Sequence, residues 1–544
     1  MSELNGGQLA ARQLKAAGVD TIFGVVAGPT IEVMAGAVEE GLTVIGCRHE
    51  ENAGFMASAW GYVKRKPGVL VTGSGPGTTN AVTPLHVATE SAMPLVVLGG
   101  SAPGMHRGLG AFQEADQVAF ARPGCKWAQQ VDSTERVPEL LHLALGKSVA
   151  GRPGGVYLDF PAQVVGRKID PEKAPLRGQP EIAAPQADPA AVERVADLLA
   201  EAQRPLIIVG KGAAWADARG PLQALVDRGI PYVCSPMARG TLPDDHPNFV
   251  NAARSAALKG ADAILMVGGR FNWVFQFGGS ARYAPDVRIA QIDVSAEEMY
   301  SAANLEIGLV ADAAAATRQI GQALEGRELA SRGGEWLDQL RQARDKNEAS
   351  LLAAMESESV PLDPHRVVAE VRSVLPRDAS IAVDGETTMG IARQMLPSYT
   401  IRGRLNAGTT GCMGVGVPYA IGAKLARPEA PSVAVVGDYA FGAAAMAIET
   451  AARNGIPVVF VVVNNQGIAG HMIQDGMFPA DSPRVASLSG AHYEKMAEMV
   501  DGHAERVERP GEVGPAVERA LASGKVALVH AVADPKATRM SGGV

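Results

Sequence analysis

Cysteine is scarce in this chain. Cys47, Cys125, Cys234 and Cys412 stand far apart, with neither the paired spacing of a metal site nor the density of a disulfide framework. They read as reduced, buried thiols. Aromatic residues make up only 5% of the sequence and no block of Lys or Arg breaks a net charge of −8, so the basic face of a nucleic-acid binder is missing. Long hydrophobic runs are lacking too. The strongest, Ile456 to Val463, falls far short of the roughly 20 residues of a membrane span, and the N-terminus, MSELNGGQLAARQLKAAGVD, has no apolar signal core. The expectation is a cytoplasmic protein with no nucleic-acid or membrane partner.

What the chain has instead is small apolar residues and turns: 47% is hydrophobic, with 62 Gly and 35 Pro. Short β-branched runs alternate with Ala-rich helical patterns, the mark of parallel sheets covered by helices. Strands are predicted at TIFGVV, TVIGC, GVLVTG, PLVVLG and GGVYLDF in the first third. RPLIIVGKG, PYVCS, DAILMVGG and RIAQIDV follow in the second, and SIAVDG, SVAVVGD, IPVVFVVVNN and VALVHAV in the last. A proline-rich, charged stretch at 161–191 and the charged helical stretch Glu325 to Glu358 read as linkers. The predicted fold class is α/β, with three doubly wound parallel-sheet domains at 1–165, 190–325 and 360–544. The first and last thirds share a rhythm of strand, Gly turn, helix and strand, which suggests a duplicated unit.

One stretch carries chemistry: GDYAFGAAAMAIETAARNGIPVVFVVVNNQG, residues 437–467. Asp438 follows an apolar strand at the carboxyl end, where parallel α/β sheets place ligands, and the Asn pair ends the next strand at the same edge. The 27 residues from Asp438 to Asn465 are enough for a helix and a return strand, so the two can converge. Hard oxygen ligands of this kind suit Mg²⁺, which takes its remaining ligands from phosphate. Gly437, Ala440 and Phe441 open the intervening helix, whose free amides would face those phosphates. A lone Asp here would cap a helix and an Asn pair would form a turn; two polar ends at matched depth favour the metal–diphosphate reading.

The GDY-x(24)-NN pattern resembles the GDG...NN motif of the thiamine-diphosphate enzymes, with Tyr439 in place of the middle glycine. The resemblance implies Asp438, Asn465 and the Gly467 carbonyl as Mg²⁺ ligands, Thr387 and Thr388 in DGETTMG as diphosphate contacts, and Gly437, Tyr439, Ala440 and Ile468 beside the cofactor. RHEENAGFMASAWGYVKRKPGVLVTGSGPGTTN resembles the family's first-domain signature. In it Glu50 matches the glutamate that hydrogen-bonds the aminopyrimidine and drives the imino tautomer; a buried carboxyl with a raised pKa would fit. Glu51, where relatives commonly have Gln, reads as an exposed helix residue. NAGTTGCMGVGVPYAIGAKLA resembles the segment that bends the cofactor, with Met413 as wedge and the Gly411 carbonyl receiving the 4'-amino group. Sites of this type form between chains, so the resemblance implies a homodimer at minimum and a homotetramer as the assembly.

The middle segment GGRFNWVFQFGGSARYAPDVRIAQIDVSAEEM resembles the 2-hydroxyacyl-CoA lyases and, somewhat less, the oxalyl-CoA decarboxylases. Arg270, Arg402 and Arg404 are candidates to grip CoA phosphates, with Lys211 and Asn272 beside them and Trp273 packing on CoA. Asp293, ending RIAQID, stands where an acidic residue holds an adenosine ribose, so ADP is a further candidate ligand. In GAFQEADQVAF, Phe112 and Gln113 replace the Tyr-Glu pair of the decarboxylases, which favours a neutral hydroxyacyl carbon over a dianionic oxalyl group. Gln113 is then the candidate to orient the substrate oxygens. The implied reaction cleaves a 2-hydroxyacyl-CoA between its thioester carbonyl and hydroxyl-bearing carbon, giving formyl-CoA and an aldehyde or ketone. His471 and Glu494 are candidate bases, and small Ala469 leaves room for a branched substrate such as 2-hydroxyisobutyryl-CoA. Lys536 and Arg539 lie in a tail that relatives fold over CoA. The alternatives are oxalyl-CoA decarboxylase, an acetolactate synthase-like carboligase and, in another class, a noncatalytic adenine-nucleotide binder; Glu50 argues against the last.

Overall fold

In the computed structural model, residues 2–279, 281–302, 304–331, 334–468 and 486–537 are described. Apart from an antiparallel pair, Leu4–Asn5 with Lys168–Ile169, the described strands gather into three parallel sheets within 21–161, 205–310 and 380–532. The first holds β1 (Thr21–Gly24), β2 (Thr43–Gly46), β3 (Gly68–Thr72), β4 (Leu95–Ser101), β5 (Trp127–Gln130) and β6 (Gly155–Pro161), in the spatial order β2-β1-β3-β4-β6-β5. The second holds β7 (Pro205–Val209), β8 (Tyr232–Cys234), β9 (Ala263–Val267), β10 (Arg288–Asp293) and β11 (Leu305–Val310), in the order β8-β7-β9-β10-β11. The third holds β12 (Ser380–Asp384), β13 (Arg404–Leu405), β14 (Ser432–Gly437), β15 (Val459–Asn464), β16 (His503–Val507) and β17 (Ala527–Val532). Its order, β13-β12-β14-β15-β17-β16, repeats that of the first sheet strand for strand, as the duplicated rhythm suggested.

Central strands such as β4 and β15 are buried along their whole length, because helices cover both faces. Two helices tie the first sheet to the third. α1 (Glu50–Lys64) packs against α3 (Gly416–Ala426), with α2 (Glu386–Met395) lying between them in sequence. The ring of Phe55 meets that of Tyr419 edge-on at 5.8 Å, both fully buried. Burying each is worth about 1.5–3 kcal/mol. Close approach demands glycine at the crossing: a Cβ on Gly422 would stand 2.3 Å from the Met56 carbonyl oxygen. The segment read as a second linker contains a helix, Glu335–Ala349, which buries Leu337 and Leu340. All four cysteines are free; Cys47 and Cys234 are buried as expected, whereas Cys125 and Cys412 are only half-buried. No helix among the described residues is long and apolar enough to cross a membrane.

Candidate active site

Strands β12, β14 and β15 are sheet neighbours, so their carboxyl ends deliver three loops to one edge. Asp438 opens α4 (Asp438–Ala444) directly after β14, and Asn465 follows β15, whose Val463 pairs with Gly437. The two loops touch: the Gly467 amide donates to Asp438 Oδ2 at 3.0 Å, and the Tyr439 amide donates to Oδ1 at 2.9 Å. Gly467 must be glycine, since a Cβ would sit 2.4 Å from the Ala486 carbonyl oxygen. The Ile468 amide donates to that same oxygen. Asp438 is 1% exposed, and burial pushes its carboxyl up to about 6 despite the backbone amides it accepts from. A buried carboxylate met by N–H groups alone, against the loop that carries Asn465, fits a small hard cation. No cluster of three or more His, Cys, Asp or Glu suited to a metal occurs among the described residues.

The β12 loop completes the cradle. A Cβ on Gly385, whose φ is +86°, would lie 3.1 Å from the Gly437 nitrogen, and one on Gly437 would lie 3.4 Å from Thr388 Oγ1. Three backbones thus approach with room for oxygen atoms and none for side chains. Thr388 is buried and Thr387 half-buried beside it. Asp384, which the sequence reading passed over, holds the neighbouring loop. Its Oδ1 accepts from the Gly385 amide at 2.7 Å and its Oδ2 from the Gly416 amide at 2.9 Å, with the Gly414 and Val415 amides also bonded to it. That carboxylate holds the amides of residues 414–416 at the start of α3, directly after Gly411 and Met413. Gly411 there has φ +62° and Met413 is 40% exposed, ahead of a helix that is otherwise mostly buried. Met413 is therefore presented rather than packed into the core.

In the first domain Glu50 is the first residue of α1, where His49 accepts from the Glu51 amide. It is half-buried rather than buried. Asn80 Nδ2 donates to Glu50 Oε2 at 3.0 Å, and a Cβ on Gly77 would come within 3.2 Å of Oε1, so the GSGPGTTN turn wraps the carboxylate. Glu51, expected to be exposed, is half-buried. Gln113 adopts φ +55° and its Oε1 accepts from Ser74 Oγ at 2.8 Å, while Phe112 is 86% exposed. Gln117, which the sequence did not single out, is buried. It accepts from the Gly75 amide and donates to Gly100 O, Tyr157 Oη and Asp159 Oδ1, tying the glycine turn to the ends of β4 and β6.

The residues matched by family comparison lie in these same three regions. Residues 4–120 match the N-terminal TPP binding domain of thiamine pyrophosphate enzymes, residues 192–320 the central domain and residues 385–531 the C-terminal TPP binding domain. The chain is 35% identical to human 2-hydroxyacyl-CoA lyase 1, over 99% of this chain and 96% of the human protein. The chain belongs to the thiamine pyrophosphate enzymes. It is also 34% identical to oxalyl-CoA decarboxylase of Escherichia coli K12, over 99% of this chain and 96% of that protein. Acetolactate synthase large subunit IlvG of Mycobacterium tuberculosis is 36% identical, over 98% of this chain and 96% of that protein. Overall identity does not separate these reactions.

A cavity of about 160 Å³ in this thiamine pyrophosphate enzyme collects five of the residues predicted to meet CoA or a nucleotide: Lys211, Arg270, Asn272, Trp273 and Asp293. Asn272 Nδ2 donates to Thr409 Oγ1, Trp273 Nε1 to Thr409 O, and Arg270 Nη2 to Glu90 O. Burial pushes the Asp293 carboxyl up to about 6. Lys211 needs a correction. Its ammonium is buried, donates to the carbonyls of Ser91 and Ala92 and lies 4.1 Å from the Tyr62 ring centre, so it clamps the middle domain to the first. Burial pulls its pKa well down.

Arg402 and Arg404 do not reach this cavity. Arg404 is 2% exposed and donates to the carbonyls of Ala392 and Leu396; Arg402 donates to Val63 O and Ala214 O. Arg404 is engaged by backbone oxygens, and Arg402 by backbone oxygens and by the Asp217 carboxylate at 3.4 Å, which overturns their reading as phosphate grips. Glu494 is likewise engaged: it is buried, bonded to His530 Nδ1 at 2.6 Å and to His492 at 2.9 Å. Burial raises its pKa, but these bonds outweigh it and hold the carboxyl below the usual range. His530 in turn meets Asn464 Nδ2 at 2.8 Å, so Glu494 buttresses the loop after β15. Ala469, His471 and Arg539 lie outside the described residues, and Lys536 is exposed.

Proposed function

We propose that this chain is a thiamine-diphosphate- and Mg²⁺-dependent 2-hydroxyacyl-CoA lyase that cleaves its substrate to formyl-CoA and an aldehyde or ketone. Asp438, Asn465 and the Gly467 carbonyl would hold Mg²⁺. Thr387, Thr388 and the backbone of Gly437, Tyr439, Ala440 and Ile468 would hold the diphosphate. The Gly411 carbonyl would receive the pyrimidine amino group and Met413 would support the bent cofactor. Glu50 would hold a proton at the pyrimidine ring. When bound, the cofactor supplies a nucleophilic carbon and an electron sink. Arg270, Asn272, Trp273 and Asp293 form the adenine-nucleotide end, for CoA or for a separate ADP.

The observation that carries the choice of reaction is the Phe112–Gln113 pair. Gln113 is a neutral amide held by Ser74 beside the glycine turn that wraps Glu50. An amide there can orient a hydroxyl or a thioester oxygen without placing a negative charge beside the substrate. Exposed Met105, Leu109 and Phe112 on the same loop support a second copy of the chain as the cover, hence a homodimer or homotetramer. The domain boundaries 1–165, 190–325 and 360–544 and a cytoplasmic location belong to the same proposal. The test supplies enzyme, thiamine diphosphate and Mg²⁺ with 2-hydroxyisobutyryl-CoA, oxalyl-CoA or pyruvate in parallel. Formyl-CoA with acetone from the first supports the lyase. CO₂ from oxalyl-CoA or pyruvate, without cleavage of the first, points to decarboxylase or carboligase, and no turnover points to a noncatalytic nucleotide binder.

A further inference from the structure

Behind the nucleotide cavity lies a second one, of about 620 Å³, where the middle domain, the helix Glu335–Ala349 and the third domain meet. Its walls include Arg239, Arg254, Arg372 and Arg393, with Phe249 and Tyr399. Three acids also face it: Asp244 pairs with Arg239 at 2.6 Å and Asp245 with Arg377 at 2.8 Å, while exposed Glu348 sits at the rim. Arg344, which lines it as well, is paired with Asp345.

Arg254 is the anomaly. It is 7% exposed, its guanidinium lies 4.6 Å from the Phe275 ring centre, and it donates to the Val274 carbonyl. Its Nε has no hydrogen-bond partner, and among the described residues no carboxylate pairs with it. The charged groups that face it are Arg393 and Arg282, both of its own sign. Arg404, a few residues' packing away through Arg393 and Arg239, is also buried and bonded only to carbonyl oxygens. Among the described residues the buried carboxylate near Arg254 and Arg404 is Asp244, which is already paired with Arg239. Buried charge is ordinarily paired, because an uncompensated ion out of water costs several kcal/mol. Guanidinium forks converging on an open cavity are the usual answer to a phosphate.

We propose that this cavity is a binding site for a phosphate-bearing dianion, held by Arg254 within and Arg372 at the mouth. It is separate from the cavity that holds Asp293, although Arg393 borders both. The bound anion neutralises the buried guanidinium groups and bridges the middle domain to the third, so it locks the orientation of one against the other. The aromatic rings of Phe249 and Tyr399 leave space for an organic group on the phosphate.

The test is calorimetric titration of inorganic phosphate, at constant ionic strength, into enzyme saturated with thiamine diphosphate and Mg²⁺, so that the diphosphate cradle is already filled. The parent should bind one phosphate per chain. Arg254→Met and Arg372→Ala should each weaken binding at least tenfold, and Arg270→Ala, in the other cavity, should leave it unchanged. Absence of saturable binding in the parent, equal binding in both site variants, or loss confined to Arg270→Ala would each overturn the proposal. If Arg254→Met does not fold, exposed Arg372 decides it alone.

Discussion

Replacing Asp384 by Asn tests how the loop that presents Met413 is held. The carboxylate takes one amide on each oxygen at 2.7 and 2.9 Å, with two more amides from the same loop close by. In asparagine one of those oxygens becomes an NH₂ group, so at least one buried N–H loses its acceptor and faces another donor. An orphaned buried donor costs about 1–3 kcal/mol. Asp384 is the last residue of β12, at the carboxyl end of the strand beneath the loop, so we expect the loss to appear as weaker cofactor binding. At 1.4 kcal/mol per tenfold, the thiamine diphosphate Kd should rise roughly 5- to 150-fold. The assay is titration of the apoenzyme at saturating Mg²⁺. A second readout is pH. Burial raises the Asp384 carboxyl from 3.8 to about 6, so its ionised form disfavours the folded state. The stability it contributes is complete below 3.8 and is lost as pH rises through 6, an amplitude of about 3 kcal/mol. Asparagine lacks this dependence, so the stability gap between parent and variant should widen as pH falls from 7 to 4. A Kd within twofold of the parent, with a pH-independent gap, would refute the reasoning.

Three further substitutions separate the roles. Glu50→Gln should bind thiamine diphosphate like the parent but lose at least about 100-fold in kcat, because a neutral amide cannot hold the proton; turnover near normal would remove Glu50 from the chemistry. Asp438→Ala should raise the Mg²⁺ and thiamine diphosphate needed for half-saturation by tenfold or more, and unchanged titrations would show that it is no ligand. Arg404→Met should lower Tm, since it strips donors from two buried carbonyls, while leaving KM for the CoA substrate unaltered; a raised KM would restore it as a phosphate contact.

The sheets were legible wherever strands are central. The strands missed, β5 (WAQQ), β11 (LEIGLV), β13 (RL) and β16 (HAERV), are all sheet edges. β5, β11 and β16 are partly exposed and carry Gln or Glu, which breaks the apolar run by which a buried strand is recognised, whereas β13 is buried but only two residues long. The meeting of Asp438 with the loop after Asn465 was legible because chain length and strand order constrain it. Asp384 was not, because its partners are backbone amides, which leave no residue pattern, and Gln117 was not, because its side-chain partners Tyr157 and Asp159 lie on a strand distant in sequence. Arg402 and Arg404 were misjudged because a guanidinium bonded to carbonyl oxygens looks, in sequence, like one waiting for phosphate.

The central claim is that this thiamine pyrophosphate enzyme breaks the bond next to the thioester carbonyl. It is tested most directly with 2-hydroxyisobutyryl-CoA carrying ¹³C at that carbonyl, incubated with enzyme, thiamine diphosphate and Mg²⁺ and followed by NMR. A lyase puts all of the label in formyl-CoA, with one unlabelled acetone released per formyl-CoA formed. Label in CO₂, or acetone formed without labelled formyl-CoA, would contradict it.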